Sequence, residues 1–340
     1  MNPTTSDPFE LLRIEHLDVQ YITESASVPA CLDVNLTVRA DSILGIAGES
    51  GSGKSTLIAA ITRLQRPPAV TTNGRVLLRR PEGYVDLVRL TEKQLRPLRW
   101  SAVSTVFQSA MDALNPVRRL GAQFVDVMRA HDRSLSHAAA MRRAAELVEM
   151  VGIRGTRLSA YPHEMSGGMR QRASIALSLA CNPDLVIMDE PTTAVDVVMQ
   201  RQILGQILKL KEQFHFAVIF VTHDLSLLLE FADDVAVMYG GRVVEVGPAS
   251  AIYRNPLHPY SAGLRDSFPP LQGARQKILG IPGSPPDPRN PPPGCPYAPR
   301  CPKVFAACTL ERPELLPHGE RRVACLLHDP DLASIGADHA

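Results

Sequence analysis

Apolar and polar residues alternate along several stretches of the N-terminal third of the chain. The stretches "LLRIEHLDVQY" (11–21) and "CLDVNLTVRA" (31–40) follow this pattern, while "NGRVLL" (73–78) and "YVDLVRL" (84–90) flank a polar Pro-Glu-Gly turn. Because successive side chains of a strand point to opposite faces, the first two stretches are predicted to be half-buried strands and the second two a hairpin.

Other stretches are continuously apolar or have the period of a helix. Three runs of strand length predict buried strands: "SILGIAG" (42–48), "DLVIMDEP" (184–191) and "FAVIFVTHD" (216–224). Helical spacing of apolar residues marks "STLIAAITRL" (55–64) and most of 110–165, including "HAAAMRRAAELVEMVGI" (137–153). Predicted strands and helices thus continue to about residue 224.

Proline becomes dense and the periodicity fades from about Pro256 onward, as in "FPPLQG" (268–273) and "IPGSPPDPRNPPPG" (281–294). With 340 residues the chain is long enough for about two domains of about 150 residues each. We therefore predict a boundary near residue 255, which divides the chain into residues 1–255 and 256–340.

The overall composition is that of an ordinary globular protein, with 45% hydrophobic and 21% charged residues and a net charge of +1. This balance gives no bulk attraction to nucleic acid or acidic membranes. The N-terminus lacks the pattern of a signal peptide, and no apolar run approaches the roughly 20 residues that cross a bilayer. We therefore expect a cytoplasmic location with reduced thiols, and membrane-spanning segments only in other chains.

The stretch "GESGSGKST" (48–56) fits the phosphate-loop pattern of two glycines around four residues, followed by Lys-Ser. The glycines let backbone N–H groups surround phosphates, the Lys54 ammonium reaches the β- and γ-phosphates, and the Ser55 hydroxyl ligates Mg²⁺. The start of the following helix adds the positive end of its dipole. A glycine-rich turn with a chance lysine is the alternative, but the flanking strand and helix favour a site for a nucleoside triphosphate. The predicted contacts are Gly48, Ser50, Gly51, Ser52, Gly53, Lys54, Ser55 and Thr56.

Two acids end the apolar run "LVIMDEP" (185–191). Asp189 is suited to hold Mg²⁺ through water. Glu190 is suited to orient and deprotonate the attacking water as a general base. A solvated turn is the alternative, although buried apolar strands do not usually end in two acids by accident.

The stretch "MSGGMRQR" (165–172) resembles the signature motif of ABC ATPases. Ser166, Gly167 and Gly168 match that motif, and Met169 stands where many members have glutamine. The resemblance implies that these residues contact the γ-phosphate held by an opposite protomer. Read alone, Ser-Gly-Gly before a helix fits a simple helix cap equally well.

Four further residues fall where ABC ATPases have functional ones. Gln108 in "STVFQ" is similar to the glutamine that senses Mg²⁺ and the membrane partner, and Asp196 in "TTAVD" to the D-loop aspartate. His223 resembles the switch histidine that contacts the γ-phosphate, and Tyr21 the aromatic residue that stacks on adenine. Read alone, a histidine or tyrosine at the end of a strand is more typical of packing.

The resemblance implies an α/β P-loop NTPase fold with a RecA-like core, an antiparallel β subdomain and a helical subdomain at about 109–175. A small irregular C-terminal domain bears the cysteines. Mg²⁺-dependent ATP hydrolysis is implied, with Ser55, Gln108 and Asp189 at the Mg²⁺. Because signature and phosphate loop lie on opposite edges of such a domain, two domains must close head to tail on two ATP molecules.

Several stretches are similar to one branch of the family, the D-type ATPase subunits of peptide and nickel importers: "FQSAMDALNP", "YPHEMSGGMRQR", "DEPTTAVDVVMQ", "NPLHPY" and "IPGSPPD". This branch implies a peripheral position on the cytoplasmic face of the inner membrane, with two permease subunits. It also implies a second ATPase of the F type, and an extracytoplasmic substrate-binding protein that acts through the permease. The cargo stays open between di- or oligopeptides, glutathione and nickel. A soluble ABC ATPase acting on nucleic acid or ribosomes is the alternative of another class, and the near-neutral charge disfavours it.

Four of the six cysteines lie in the C-terminal part, with five, six and sixteen residues between successive ones: Cys295, Cys301, Cys308 and Cys325. In a reducing compartment they favour metal binding over disulfides, and a chance cluster is the alternative. Cys325 and His328 have the spacing of zinc ligands, so a site of three cysteines and one histidine stays open. The resemblance to peptide-importer ATPases implies instead a 4Fe-4S cluster that staples the tail. Cys31 and Cys181 are predicted to pack as small apolar residues.

Overall fold

The structure, a computed structural model, describes residues 9–107, 113–191, 197–267 and 280–329. These residues divide into two compact units. The first contains the described parts of Met1–Val38, Ile43–Val88 and Phe220–Ala340, and the second contains Arg39–Ser42 and the described part of Arg89–Ile219. Two predicted site residues, Gln108 and Asp196, lie outside the described residues.

The strands of the described residues are, in chain order, β1 (Glu10–Ile22), β2 (Ser27–Arg39), β3 (Ile43–Ala47), β4 (Ala69–Arg80), β5 (Gly83–Asp86), β6 (Val103–Val106), β7 (Leu185–Asp189), β8 (Ala217–Val221), β9 (Asp234–Tyr239), β10 (Arg242–Pro248), β11 (Leu316–His318) and β12 (Arg321–Val323). The helices are α1 (Lys54–Thr62), α2 (Glu92–Leu95), α3 (Leu120–His131), α4 (His137–Met150), α5 (Gly167–Ser178), α6 (Val197–Phe214), α7 (Leu225–Phe231), α8 (Ala249–Arg254), α9 (Pro259–Ser267) and α10 (Ala306–Leu310). Short 3₁₀ turns occupy Gly155–Ser159, Pro162–Glu164, Ala298–Arg300 and Leu326–His328.

One sheet of the first unit has the strand order β2-β1-β4-β5. Strands β1 and β4 pair antiparallel with Leu12 opposite Leu78, and β4 and β5 form the predicted hairpin. The alternation in β1 leaves Leu12 and Ile14 buried, as the pattern predicts. The second hairpin strand ends at Asp86, earlier than predicted, because the Asp86 carboxylate accepts the backbone N–H of Val88 at 3.1 Å and turns the chain. This sheet is the antiparallel β subdomain that the resemblance implies.

The other strands of the first unit follow the order β11-β12-β10-β9-β3. Strands β3 and β9 are parallel, whereas β9, β10, β12 and β11 pair antiparallel. All five residues of β3 are buried, as expected of a continuous apolar run. Strands β11 and β12 come from the cysteine-bearing tail. The tail therefore extends the sheet that contains β3, the strand that leads into the phosphate loop.

The second unit combines helices with the parallel pair β6 and β7. Helix α4 is capped by Ser136, the residue before its first turn, whose hydroxyl accepts the backbone N–H of Ala139 at 3.2 Å. Its buried residues include Ala140, Ala144 and Leu147, so the helix predicted from this spacing is confirmed. The chain passes from the second unit to the first within β8, whose five residues are all buried.

No helix of the described residues is both long enough and apolar enough to cross a membrane. Residues beyond 255 belong to the same compact unit as the phosphate loop. The domain boundary near residue 255 and the helical subdomain at about 109–175 stay predictions.

Candidate functional site

The phosphate loop connects β3 to α1 in the first unit. Strand β3 is fully buried and ends at Ala47, and α1 begins at Lys54, so the loop lies where the sequence predicts it. Gly53, the residue before the helix, has a φ of 102°, and a Cβ there would collide with the carbonyl oxygen of Ala30. Only glycine fits both the backbone conformation and the close approach. The exposed residues Ser50 and Gly51 form the tip of the loop.

Lys54 lies back across the loop. Its ammonium donates hydrogen bonds to the carbonyl oxygens of Gly48 at 2.7 Å and Glu49 at 3.0 Å, and the side chain is buried. A lysine in this position can exchange these carbonyl oxygens for phosphate oxygens with a small rotation of its end. Ser55, the predicted Mg²⁺ ligand, is exposed at the start of α1.

Tyr21 lies beside the same helix. Its hydroxyl and that of Thr56 are 3.0 Å apart, and 38% of Tyr21 is exposed. The aromatic ring is therefore next to the phosphate loop and open to solvent, as a residue that stacks on a base requires.

Ser52 connects the phosphate loop to the neighbouring turn between β9 and β10. Its carbonyl oxygen accepts the backbone N–H of Gly241, in the turn between β9 and β10, at 3.1 Å. Its hydroxyl is buried and has no hydrogen-bond partner among the described residues. Burial without a partner is costly for a hydroxyl, so Ser52 is a group that a ligand at the loop could satisfy.

Glu49 is a part of the loop that the motif did not single out. Its carboxylate accepts two hydrogen bonds from the guanidinium of Arg300, at 2.6 Å and 2.9 Å, and its backbone N–H donates to the hydroxyl of Tyr260 at 2.8 Å. The pair with Glu49 raises the pKa of Arg300 above its ordinary value, so the guanidinium stays charged. The sequence predicted neither contact. The loop pattern leaves position 49 variable, and Arg300 belongs to none of the motifs.

The two acids end β7 in the second unit. Asp189 is buried, with 8% of the residue exposed, whereas Glu190 is half-buried. Glu190 has a φ of 46°, a left-handed conformation that is rare outside glycine. Such conformations concentrate at functional sites, and this one follows directly after Asp189, the last residue of the strand.

The signature residues also lie in the second unit, at the start of α5. Ser166 is the exposed N-cap residue, and its hydroxyl accepts the backbone N–H of Met169 at 3.3 Å. The helix-cap interpretation is therefore correct as local structure. It leaves the N-terminal end of a 12-residue helix facing solvent, where an anion can be stabilised by the helix dipole and the free N–H groups.

His223 lies directly beyond β8 in the first unit. Thr222 is buried and accepts the backbone N–H of Asp224 through its hydroxyl, and the Asp224 carboxylate caps α7 by accepting the N–H of Leu227. His223 itself is exposed between these two anchored residues. The packing interpretation of this histidine is therefore not supported.

The four tail cysteines are free thiols. Cys308 belongs to a small apolar cluster with Ala298, Phe305 and Leu326, and Cys295 packs against that cluster. The backbone N–H of Cys295 donates to the carbonyl oxygen of Cys308 at 2.8 Å. Gly294 makes this approach possible, because a Cβ there would collide with the same carbonyl group.

The tail thiols also influence one another's ionisation. Burial, together with the charges of Cys295, Cys301 and Cys308, raises the pKa of Cys325 to about 12. Burial likewise raises the pKa of Cys301 to about 11. A thiol with such a pKa ionises at neutral pH only when a cation takes the place of its proton.

In the described part of the chain, no three or more His, Cys, Asp or Glu side chains are placed to hold a metal ion, so this arrangement supports neither the zinc site nor the 4Fe-4S cluster. The Nε2 of His328 contacts the carbonyl oxygen of Leu257 at 2.9 Å, which gives this ring a structural partner instead. Cys31 is fully buried, as predicted for a packing residue, and Cys181 is half-buried.

Two family models match the chain. The one described as "ABC transporter" matches residues 31–193, and the one described as "Oligopeptide/dipeptide transporter, C-terminal region" matches residues 244–308. Their order along the chain agrees with the order of the nucleotide motifs and the cysteine-bearing tail.

Curated relatives align with the chain over most of its length. It is 38% identical over 321 residues to a dipeptide transport ATP-binding protein of Caldanaerobacter subterraneus, which covers 94% of this chain and 97% of that protein. It is 41% identical over 305 residues to an oligopeptide transport ATP-binding protein of Salmonella typhimurium, with 89% of each chain covered. A similar protein of Bacillus subtilis is 39% identical over 329 residues, which cover 94% of this chain and 98% of that one.

Solved structures share the fold. A dimeric ATP-binding cassette in a post-hydrolysis state, bound to ADP and Pi, is 26% identical with a TM-score of 0.63. That likeness covers 70% of this chain and 99% of the other. The predicted α/β P-loop fold is therefore confirmed.

Proposed function

This chain belongs to the ABC transporter family, and from that premise we propose that it is the ATP-hydrolysing subunit of an importer of di- or oligopeptides. The phosphate loop between β3 and α1 carries this proposal. It lies in a chain that aligns over 94% of its length with a dipeptide transport ATP-binding protein.

The loop supplies the groups that bind ATP. Lys54 turns from the carbonyl oxygens of Gly48 and Glu49 to the β- and γ-phosphates, and the glycine-rich loop offers its backbone N–H groups. Tyr21 stacks on the adenine, next to the Thr56 hydroxyl that it contacts.

A second group of residues would hold Mg²⁺ and carry out hydrolysis. The Ser55 hydroxyl, the Gln108 amide and, through water, the Asp189 carboxylate are oxygen ligands of the kind that Mg²⁺ prefers. Bound Mg²⁺ would offset the charge that develops on the phosphates in the transition state. Glu190 accepts a proton from the attacking water, and its unusual backbone conformation directly after the strand supports that role.

The remaining motif residues act where two ATPase subunits meet or at the γ-phosphate of their own chain. Ser166, Gly167 and Gly168 contact the γ-phosphate held by the opposite ATPase subunit, which fits the exposed N-terminal end of α5. His223 contacts the γ-phosphate in its own chain, and Asp196 belongs to the D-loop.

We place the protein at the cytoplasmic face of the inner membrane, peripherally. Two permease subunits and a second ATPase of the F type complete the motor, and an extracytoplasmic substrate-binding protein delivers the peptide. In this assembly the peptide never needs to touch the chain described here.

We further propose that Cys295, Cys301, Cys308 and Cys325 hold a 4Fe-4S cluster. The charges of Cys295, Cys301 and Cys308 all raise the pKa of the Cys325 thiol, and this mutual influence of the four thiols supports the proposal. The ligands of a four-iron cluster bind different iron atoms and therefore stand further apart than those of a single ion. The cluster would supply cross-links to a tail whose own apolar core is small, with no electron transfer implied.

Transport tests the main proposal. The complex is purified through a tag on this chain, reconstituted into vesicles and supplied with ATP and labelled dipeptide, oligopeptide, glutathione or nickel. We expect peptide uptake, and none in the complex with Lys54→Ala. Uptake of only nickel or glutathione would contradict the peptide cargo, and recovery with RNA or DNA but without permeases would favour the soluble alternative.

Colour tests the cluster. Anaerobically purified protein should be brown and bleach on reduction, and Cys301→Ser should lose the colour while it still binds ATP. Cys181→Ser is the matched control, because this thiol lies outside the tail, and it should stay brown. Colourless wild-type protein with one zinc per chain would decide for the single-ion site.

A further inference from the structure

Glu49 introduces a negative charge into a loop that binds a polyanion. It follows Gly48 directly, within the stretch whose backbone surrounds the phosphates. The side chain is only 27% exposed, so solvent screens its charge incompletely. Like charges at short range repel, and an uncompensated carboxylate here would weaken ATP binding.

Arg300 compensates this charge. Its two terminal nitrogens each donate to one carboxylate oxygen of Glu49, at 2.6 Å and 2.9 Å, in a bidentate pair. The Arg300 side chain is only 5% exposed. Bidentate pairs between arginine and carboxylate are geometrically specific, and their burial strengthens them relative to surface pairs.

The tail and β9 fix the guanidinium in place. Its Nε donates to the carbonyl oxygen of Pro282 at 2.7 Å, and one terminal nitrogen donates to the Tyr239 hydroxyl at 3.2 Å. Arg300 closes the 3₁₀ turn Ala298–Arg300 directly before Cys301. The position of the charge thus depends on the folded tail.

A second contact holds the backbone of the same residue. The Tyr260 hydroxyl accepts the N–H of Glu49 at 2.8 Å. The Tyr260 ring packs against Tyr239 and Tyr297, with ring centroids 4.5 Å and 5.3 Å away. Glu49 is therefore held through its main chain and its side chain by residues 211 and 251 positions further along.

We propose that Arg300 is a positioning residue of the nucleotide site. It neutralises the Glu49 carboxylate and holds it against the tail, so that the affinity of the loop for ATP depends on the cysteine-bearing tail. This inference rests on the proposed ATP-binding function of the loop, and it assigns to the tail a role in that function beyond its own stability.

Charge removal in three full-length variants tests the proposal, with ATP affinity measured by titration with a fluorescent ATP analogue. Arg300→Gln should weaken binding about tenfold, because Glu49 is left uncompensated. Glu49→Gln/Arg300→Gln should recover to within about threefold of wild type, because the repelling charge is gone. Arg289→Gln is the matched control: it breaks an exposed arginine–carboxylate pair with Asp287 in the same tail and should bind like wild type.

If the pair had only a structural role, the double variant would lose both partners. Its affinity for ATP should then be no higher than that of Arg300→Gln. That result, or wild-type affinity in Arg300→Gln, overturns the proposal. If wild type itself binds no ATP, the proposed function fails instead.

Salt and a further variant complete the test. The defect of Arg300→Gln should shrink as the ionic strength rises from about 0.05 M to about 0.5 M, because screening weakens the repulsion. If Arg300→Gln does not fold, Glu49→Gln alone decides. It leaves Arg300 cationic beside the loop and should bind ATP at least as tightly as wild type, so weaker binding would contradict the proposal.

Discussion

At the scale of single residues, Glu190 combines an unusual backbone with a proposed catalytic role. A left-handed φ at a non-glycine residue is unfavourable by about 1–2 kcal/mol, and here it is 46°. The conformation separates two adjacent acids into different environments, with Asp189 buried and Glu190 half-buried. This separation suits one acid to the cation and the other to water.

Glu190→Gln should preserve ATP binding and slow turnover by at least about a hundredfold, because the amide cannot accept the proton of the attacking water. Turnover is measured as phosphate release by the assembled complex, and binding by nucleotide titration. Lys54→Ala is the contrasting variant and should weaken nucleotide binding itself. Near-normal turnover in Glu190→Gln would remove this residue from the role of base.

Residues with a motif around them could be predicted from the sequence, and residues without one could not. Lys54 and Ser55 stand at the loop-helix junction because the glycine pattern determines that junction. Glu49 and Arg300 are 251 positions apart, and neither is special within its own stretch. Only the folded tail brings them together, so no local pattern could indicate the pair.

At the scale of elements, long and periodic segments were predicted and short ones were not. Strands β3 and β7 were predicted from continuous apolar runs, and α4 from its helical spacing. Strands β11 and β12 have three residues each and lie in a stretch without alternation. They form because β10 offers its edge to β12, which is a tertiary effect.

The start of α9 depends on the protonation of one buried histidine. The Nδ1 of His258 accepts the backbone N–H of Tyr260 at 3.0 Å. The backbone N–H of His258 donates to the buried carboxylate of Glu245. Burial, with a smaller contribution from the charge of His328, lowers the pKa of His258 from its ordinary 6.5 to about 3. The ring is therefore neutral in the folded protein at physiological pH.

Because the folded-state pKa lies below the unfolded one, the neutral ring contributes stability above about pH 6.5 that is lost as the pH falls towards 3. Between about pH 7 and about pH 4, wild type should lose about 3 kcal/mol more than His258→Asn, whose amide can accept the same N–H but does not titrate. Thermal melts across this range measure the difference. A parallel decline of both proteins would show that His258 does not titrate as inferred.

At the scale of the whole molecule, one chain carries one set of nucleotide motifs. In the proposed assembly the exposed N-terminal end of α5 contacts the nucleotide of a second ATPase subunit, and the resemblance to D-type subunits implies a different, F-type chain as that partner. Native mass spectrometry of the purified complex should therefore detect this chain once, with a different ATPase subunit and two permease subunits. Two identical copies of this chain would refute the heterodimer.

The assembly of the first unit from both ends of the chain also determines when it can fold during synthesis. The ribosome makes Glu49 early but Arg300 only 251 residues later, about 10–50 s at about 5–20 residues per second. Strand β3 cannot pair with β9 until residues 234–239 have been made, and β10 cannot pair with β12 until residues 321–323 have been made. A nascent or truncated chain therefore presents unpaired strand edges to chaperones and proteases, and the ATP-binding loop gains its contact with Arg300 only after residue 300 has been made.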